Sequence, residues 1–156
     1  MRKAAPSLVS SELAALHPAS FAWALACCGY DRAEAEDVLQ TAYLKLIDGR
    51  ATFDGRSSLR TFLFAVIRNT AADARRRKFL VRLFSPVPSP PPDASADRAR
   101  IIAALQKLSP RQREVLELVF YHDHSVEEAA GVMGVSVGSA RQHYDRGKTR
   151  LAELLK

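Results

Sequence analysis

Hydrophobic residues in the first half of the chain recur every three to four positions, which is the period of amphipathic α-helices. The pattern predicts helices over residues 20–28, 35–46 and 59–78. Asp31 and Glu34 have the spacing of a capping box and mark the start of the second of these helices. The alternating pattern that strands produce is not found. The first half of the chain is therefore expected to fold as a small helical bundle.

The second half of the chain repeats the helical pattern in shorter segments. The predicted helices cover residues 97–108, 110–120, 127–133 and 137–155. A serine precedes each of the last three helices and is suited to accept hydrogen bonds from their first free amides. These capping serines are Ser109, Ser125 and Ser136.

A proline-rich stretch separates the two halves. Residues 85–92 hold five of the eight prolines, and neither a helix nor a central strand can run through them. A linker over residues 85–98 is favoured, and an irregular loop inside one domain is the alternative. The predicted fold is all-α, with two small helical domains joined by this linker. The domains cover residues 1–84 and 99–156.

The segment that follows Ser125 has the spacing of a helix-turn-helix. A short helix over residues 127–133 is followed by Gly134, which tolerates the left-handed backbone of a tight turn. Ala130 is small where the two helices cross. A plain helical hairpin is the alternative interpretation, because it can imitate this spacing.

If the segment is a helix-turn-helix, its second helix enters the major groove of DNA. Gln and Arg side chains can bond adenine and guanine edges, whereas other cations contact phosphates. The alternative is a basic face that only meets solvent. The outward arc of this helix holds Gly138, Gln142, Asp145, Arg146 and Thr149, with Ser139 and Arg141 as its flanks. Lys148 and Arg150 are better placed for phosphates.

The distribution of charge supports a polyanionic partner. The chain has 23 Lys and Arg and 17 Asp and Glu, a formal net charge of +6. Residues 1–84 contribute +5 and residues 99–156 contribute +2, with −1 from the linker. Two basic domains on one tether predict two contacts with the same nucleic acid.

The composition excludes several classes of protein. The chain has 156 residues, of which 47% are hydrophobic, as in globular proteins. Its longest apolar run, residues 21–28, is far shorter than the ~20 residues that cross a bilayer. The first residues do not lead into the apolar core of a signal peptide. We therefore expect a cytoplasmic protein that does not enter a membrane.

The cysteines and histidines do not have the spacing of a reactive site. Cys27 and Cys28 are adjacent in a predicted helix, where buried inert thiols are favoured over a redox sensor. His122 and His124 flank one aspartate in a predicted turn, without further ligands at zinc spacing. We expect no catalytic residue, no metal and no cofactor, and therefore a binding protein rather than an enzyme.

Three motifs together resemble the sigma factors of bacterial RNA polymerase. Residues 108–116 and 125–141 resemble the domain that reads the −35 promoter element. Residues 35–44 resemble the helix that docks on core polymerase, and residues 62–77 resemble the helix that recognises the −10 element. Two such domains with little between them is the layout of the extracytoplasmic-function (ECF) type.

The resemblance implies roles for particular residues. Promoter recognition, transcription initiation and an anti-sigma factor as regulatory partner are expected from it. The helix face that meets the clamp helices of the largest polymerase subunit would include the polar residues Asp37, Gln40 and Thr41 and the apolar residue Leu44. The −10 element would be met by Phe53, Arg56, Arg60, Asn69, Asp73, Arg75 and Arg76. The −35 element would be read by Arg141, Gln142, Asp145 and Arg146.

Several positions depart from the family pattern. Phe62 stands where tryptophan is usual, Ala129 replaces isoleucine, and Tyr144 replaces leucine. Asp145 places a negative charge on the DNA face, and Gly147 weakens its helix by about 1 kcal/mol relative to alanine. Two alternative functions remain open: a sigma-mimicking adaptor that binds an anti-sigma factor, and a stand-alone helix-turn-helix regulator.

Overall fold

A computed structural model describes residues 6–82 and 95–156, and these residues form helices and no strands. Most of the predicted linker therefore lies outside the described residues. Seven α-helices and one π-helix occur in the described ranges. They are α1 (Pro6–Cys27), α2 (Arg32–Ile47), α3 (Leu59–Arg82), α4 (Ala96–Gln106), α5 (Pro110–Leu116), the π-helix (Glu117–Tyr121), α6 (Val126–Met133) and α7 (Val137–Leu155).

Helix α1 is much longer than the sequence pattern predicts. It begins at Pro6 rather than at residue 20 and contains Pro18 in its interior. Proline lacks an amide donor and commonly interrupts a helix at an interior position. The helix continues through it, and Leu13 and Leu16 on its earlier turns pack against the core. Tertiary packing therefore overrides the local signal.

The predicted helix caps are confirmed. Asp31 accepts a hydrogen bond from the Glu34 amide at the start of α2. Ser125 and Glu128 form a reciprocal capping box at the start of α6, so two otherwise free amides have partners there. Ser109 and Ser136 cap α5 and α7 by accepting hydrogen bonds from the Gln112 and Ser139 amides. Helix starts in this chain are thus fixed by side chains within three residues.

The helix that begins at Pro110 ends as a π-helix. This turn leaves Phe120 60% exposed, although its spacing from Val115, Leu116 and Val119 predicts a buried position in a regular helix over residues 110–120. The following backbone returns His122 and His124 to the interior, where both side chains are buried. The wider π-helical turn changes which side chains face inward, and a period of 3.6 residues does not predict it.

One continuous core joins the two predicted domains. Trp23 of α1 stacks on Phe64 of α3, with ring centroids 5.7 Å apart, and its indole donates to the Phe64 carbonyl. The His122 ring meets Phe64 edge-on at 5.0 Å. Helix α3 also packs against α6, where Thr61 approaches Gly131. In this arrangement the second half of the chain covers one face of α3.

Polar side chains cross the same junction. Arg68 of α3 pairs with Glu114 of α5 at 3.2 Å, and their side chains are only 16% and 11% exposed. The Tyr30 hydroxyl donates to Glu117 at 2.6 Å. Because unpaired buried charges are costly, these pairs hold the two halves in one register.

Candidate nucleic-acid interface

The helix-turn-helix has the geometry that the sequence predicts. Gly134 ends α6 in the left-handed conformation, with φ of 67°, and Ser136 starts α7 two residues later. Ala130 and Ala140 are buried where α6 meets α7. Small residues at this crossing let the helices approach closely and fix the direction of α7.

The predicted −35 residues share one exposed side of α7. Gln142, Asp145, Arg146 and Lys148 are exposed, as is Arg141, while Ser139 is half-buried near the helix start. The side therefore carries donors and acceptors suited to base edges, and cations suited to phosphates. These side chains are accessible to a ligand without any rearrangement within α7.

Gly147 lies on the opposite, buried side of α7. A Cβ atom at this position would come within 3.1 Å of the Leu116 side chain and 3.2 Å of Gln112 Cβ. The glycine that weakens the helix in isolation therefore allows α7 to approach α5. This close contact explains why a glycine occupies a position in the middle of the helix.

Two of the cations among the predicted −35 residues have partners within the protein. The Arg141 guanidinium donates to the Glu127 carboxylate of α6 at 2.7 Å. Lys148 lies over the Tyr144 ring, 4.5 Å from its centroid. Sequence reasoning missed Glu127, because only the helix-turn-helix packing brings these two residues together across 14 positions.

The predicted −10 residues of α3 divide between two faces. Arg60 donates to the His122 carbonyl and lies over the Phe64 ring, and Arg75 lines a small cavity with Glu114. Nine residues after Arg60, about half a turn around the helix axis, Asn69 is exposed. The structure thus does not bring all of these residues into one surface.

The other face of α3 carries the remaining predicted −10 residues. Asp73 pairs with Arg76 at 2.6 Å and lies 3.9 Å from the Lys45 ammonium of α2. Asn69 is on the same side, about one turn away. This polar face, defined by Asn69, Asp73 and Arg76, is open to a ligand.

The aromatic residues before and within α3 have different surroundings. Phe64 is fully buried, so its role is core packing. Phe53 and Phe62 are half-buried, with ring centroids 5.3 Å apart, and Arg56, three residues after Phe53, is exposed. Stacking on an unpaired base is therefore available to Phe53 and Phe62 and excluded for Phe64 in this arrangement.

The predicted polymerase-binding residues lie on one side of α2. Asp37 and Gln40 are exposed and line a groove together with His17 and Tyr43, which hydrogen-bond each other at 2.9 Å. Thr41 is half-buried, and Leu44 is 50% exposed at the next turn. The side combines carboxylate, amide and apolar groups, as protein interfaces do.

Burial shifts the ionisation of groups in the junction. It lowers the pKa of His122 to about 4, and the nearby Arg60 charge acts in the same direction. Burial raises the pKa of Glu117 and of the Cys27 thiol. A neutral histidine and a protonated thiol suit packing rather than proton transfer or nucleophilic chemistry.

Within residues 6–82 and 95–156, no group of three His, Cys, Asp or Glu side chains is placed to hold a metal ion. Within the same ranges, no helix combines the length and the apolar character needed to span a bilayer.

Two family models match the chain in sequential order. The model for sigma-70 region 2 matches residues 13–79, and the model for sigma-70 region 4 matches residues 98–151. The RNA polymerase sigma factor CarQ of Myxococcus xanthus is 32% identical over 129 residues, 78% of this chain and 74% of CarQ. The ECF sigma factor EcfG of Rhodopseudomonas palustris is 31% identical over 159 residues, 96% and 85% of the two chains.

Solved structures resemble the whole described arrangement. The sigma factor RpoE in complex with the anti-sigma factor NepR from Bartonella quintana has a TM-score of 0.77 and 29% identity. That likeness covers 94% of this chain and 95% of RpoE. CnrH in complex with the cytosolic domain of CnrY has a TM-score of 0.68 and 28% identity, covering 93% and 86%.

Proposed function

This chain belongs to the ECF sigma factors of bacterial RNA polymerase, which direct promoter recognition and transcription initiation, and we propose how its residues divide that task. Residues 1–84 bind core polymerase and the −10 element, and residues 99–156 bind the −35 element, with residues 85–98 as the linker. The protein acts in the cytoplasm as a dissociable specificity subunit without catalytic activity of its own.

The observation that carries the proposal is the exposed side of α7 on a helix-turn-helix. Its polar groups face solvent while Gly147 and Ala140 hold the helix against α5 and α6. Arg141, Gln142 and Arg146 therefore read base edges in the −35 duplex, and Lys148 contacts phosphate. Asp145 accepts from a cytosine amino group.

The −10 element is bound by the exposed face of α3 and by the loop that precedes this helix. Asn69, Asp73 and Arg76 meet the duplex at the exposed face of α3. Phe53 and Phe62, with Arg56 nearby, hold an unpaired base after strand opening, because aromatic faces stack on any base. Arg60 and Arg75 join this site once the second half of the chain has moved from α3.

Core polymerase is the first partner. The clamp helices of its largest subunit contact Asp37, Gln40, Thr41 and Leu44 on α2, a side whose groove and exposed carboxylate support this assignment. An anti-sigma factor is a further partner, a proposal supported by the likeness to RpoE and CnrH structures that contain NepR and CnrY.

Run-off transcription with bacterial core polymerase and a promoter library tests this function. We expect transcription with the wild-type chain and none with Asp37→Arg, because reversing the charge on α2 opposes the polymerase interface. Glu153→Arg, a charge reversal at the end of α7, is the control and retains co-elution with core polymerase. Duplex binding that core polymerase does not alter would instead identify a stand-alone regulator. Capture of an anti-sigma factor without transcription would identify an adaptor.

A further inference from the structure

Glu127 and Arg141 form an ion pair beside the proposed −35 reading surface. Glu127 is the second residue of α6, and its Oε1 accepts a hydrogen bond from Arg141 Nη2 at 2.7 Å. The side chains are 55% and 63% exposed. The pair thus links the first helix of the helix-turn-helix to a side chain on the DNA-facing side of the second.

Stability does not account for this pair. Exposed ion pairs add little to folding because water screens them and two side chains must be ordered. The start of α6 is already capped by Ser125 and Glu128, and buried Ala130 and Ala140 fix its contact with α7. What the pair does determine is the direction of the Arg141 guanidinium.

We propose that Glu127 is a positioning residue that determines −35 specificity, by holding the Arg141 guanidinium toward base edges and away from phosphates. The inference rests on the proposed function of α7. An unrestrained arginine can reach a phosphate, where it adds affinity but carries no sequence information. A neighbouring carboxylate fixes the side chain and repels phosphate at the same time.

The hydrogen bond leaves Arg141 able to read a base. The guanidinium has five donor hydrogens, and Glu127 engages one nitrogen of the group. The remaining donors suffice for a bidentate contact with guanine. The Arg141 hydrogen bond is also the main cause that lowers the pKa of Glu127, so the carboxylate is charged at neutral pH.

Other cations on α7 provide a contrast within the same helix. Among the described carboxylates, none lies in salt-bridge range of Arg146, so no such pair orients its guanidinium. Arg150 pairs with Glu153 at 3.2 Å near the end of the helix. Glu153 is 12 residues beyond Arg141, about 18 Å along the axis, so it serves as a matched control.

Holoenzyme formed from the full chain and bacterial core polymerase is tested on a duplex library randomised across the −35 element. Glu127→Ala is expected to reduce discrimination at the base pair read by Arg141 about fivefold or more. The slope of log affinity against log salt should steepen by about 0.9, as expected for one additional phosphate contact. Glu127→Gln keeps an acceptor and should restore most of the discrimination. Glu153→Ala should discriminate as the wild type does.

An Arg141→Ala background separates positioning from a general charge effect. There, adding Glu127→Ala should change neither the discrimination nor the salt slope. The inference is overturned if Glu127→Ala leaves discrimination unchanged in the wild-type background, or changes it equally without Arg141. The midpoint temperature of thermal unfolding is measured for each variant, and a value equal to that of the wild type establishes that the fold is intact. A wild-type holoenzyme without any −35 preference would refute the proposed function itself, which is a different result.

Discussion

His122, which lies where the two halves of the chain pack together, must be neutral to occupy its place in the core. The His122 ring contacts Trp23 and Phe64 edge-on, and its backbone carbonyl accepts from Arg60. Besides burial, the charges of Arg60 and His124 oppose protonation of His122, while Asp123 favours it. A histidine that packs as an aromatic ring therefore makes folding sensitive to acid.

The pH dependence of stability follows from this lowered pKa. Because the folded pKa of His122 is about 4 and the ordinary value is 6.5, its contribution is complete above pH 6.5 and is lost as pH falls toward 4. At pH 5 the loss is about 2 kcal/mol. We expect urea unfolding at pH 7.5 and 5.0 to show this difference in the wild type and a smaller one in His122→Gln.

Comparing the wild type with His122→Gln separates the effect of His122 from that of other groups that titrate in both proteins. Glu117 has a raised pKa, so its protonation favours the folded state and acts in the opposite direction in both. Equal losses of stability in the wild type and in His122→Gln would contradict the assignment of the acid sensitivity to His122.

At the scale of elements, the close approach of α5 and α7 decides how the recognition helix is held. Gly147 has no side chain where Leu116 and Gln112 lie closest, and Leu116 is itself fully buried. The helix gives up some intrinsic stability here, and the packing of α5 on α7 replaces it. The same contact sets the side of α7 that faces solvent.

Substitution at Gly147 tests this packing. Gly147→Val should destabilise the protein by about 1–3 kcal/mol, because the added methyl groups overpack the contact with α5. Gly138→Val is the matched control, since nothing lies within 4 Å of a Cβ atom there, and it should stay within about 0.5 kcal/mol of wild type. Chemical denaturation measures both, and equal effects at the two positions would argue against the close contact.

For the whole molecule, the described arrangement is too compact to read both promoter elements at once. A compact chain of this length has a radius of gyration of about 15 Å, and hence a diameter of roughly 40 Å. Elements named for positions −35 and −10 lie about 25 base pairs apart, or ~85 Å along B-DNA. Helix α3 must therefore separate from both α5 and α6, and its separation from α5 breaks the Arg68–Glu114 pair.

Distance measurements between paired labels test this separation. With Cys27 and Cys28 replaced by alanine, labels at Arg77→Cys and Glu153→Cys should move apart by about 20 Å or more when core polymerase binds. Labels at Glu36→Cys and Arg77→Cys, both in the first half of the chain, should keep their distance. An unchanged distance in the first pair within the holoenzyme would contradict the opening.

Local interactions explain what the sequence by itself determined. Asp31, Ser125 and Ser136 cap helices through amides three residues away, and Gly134 supplies the one backbone conformation that the turn needs. These interactions act within a few residues, so the spacing of residue types is enough to predict the all-helical fold and the helix-turn-helix. The exposed side of α7 follows from the same periodicity.

Tertiary structure decided the features that join distant parts of the chain. The continuation of α1 through Pro18, the π-helix before His122, and the Glu127–Arg141 pair each depend on which helices pack together. Arg68 and Glu114 are 46 residues apart, and no period in the sequence relates them. The free energy of such contacts arises only after long-range packing has placed the partners, so their residues carry no local signal.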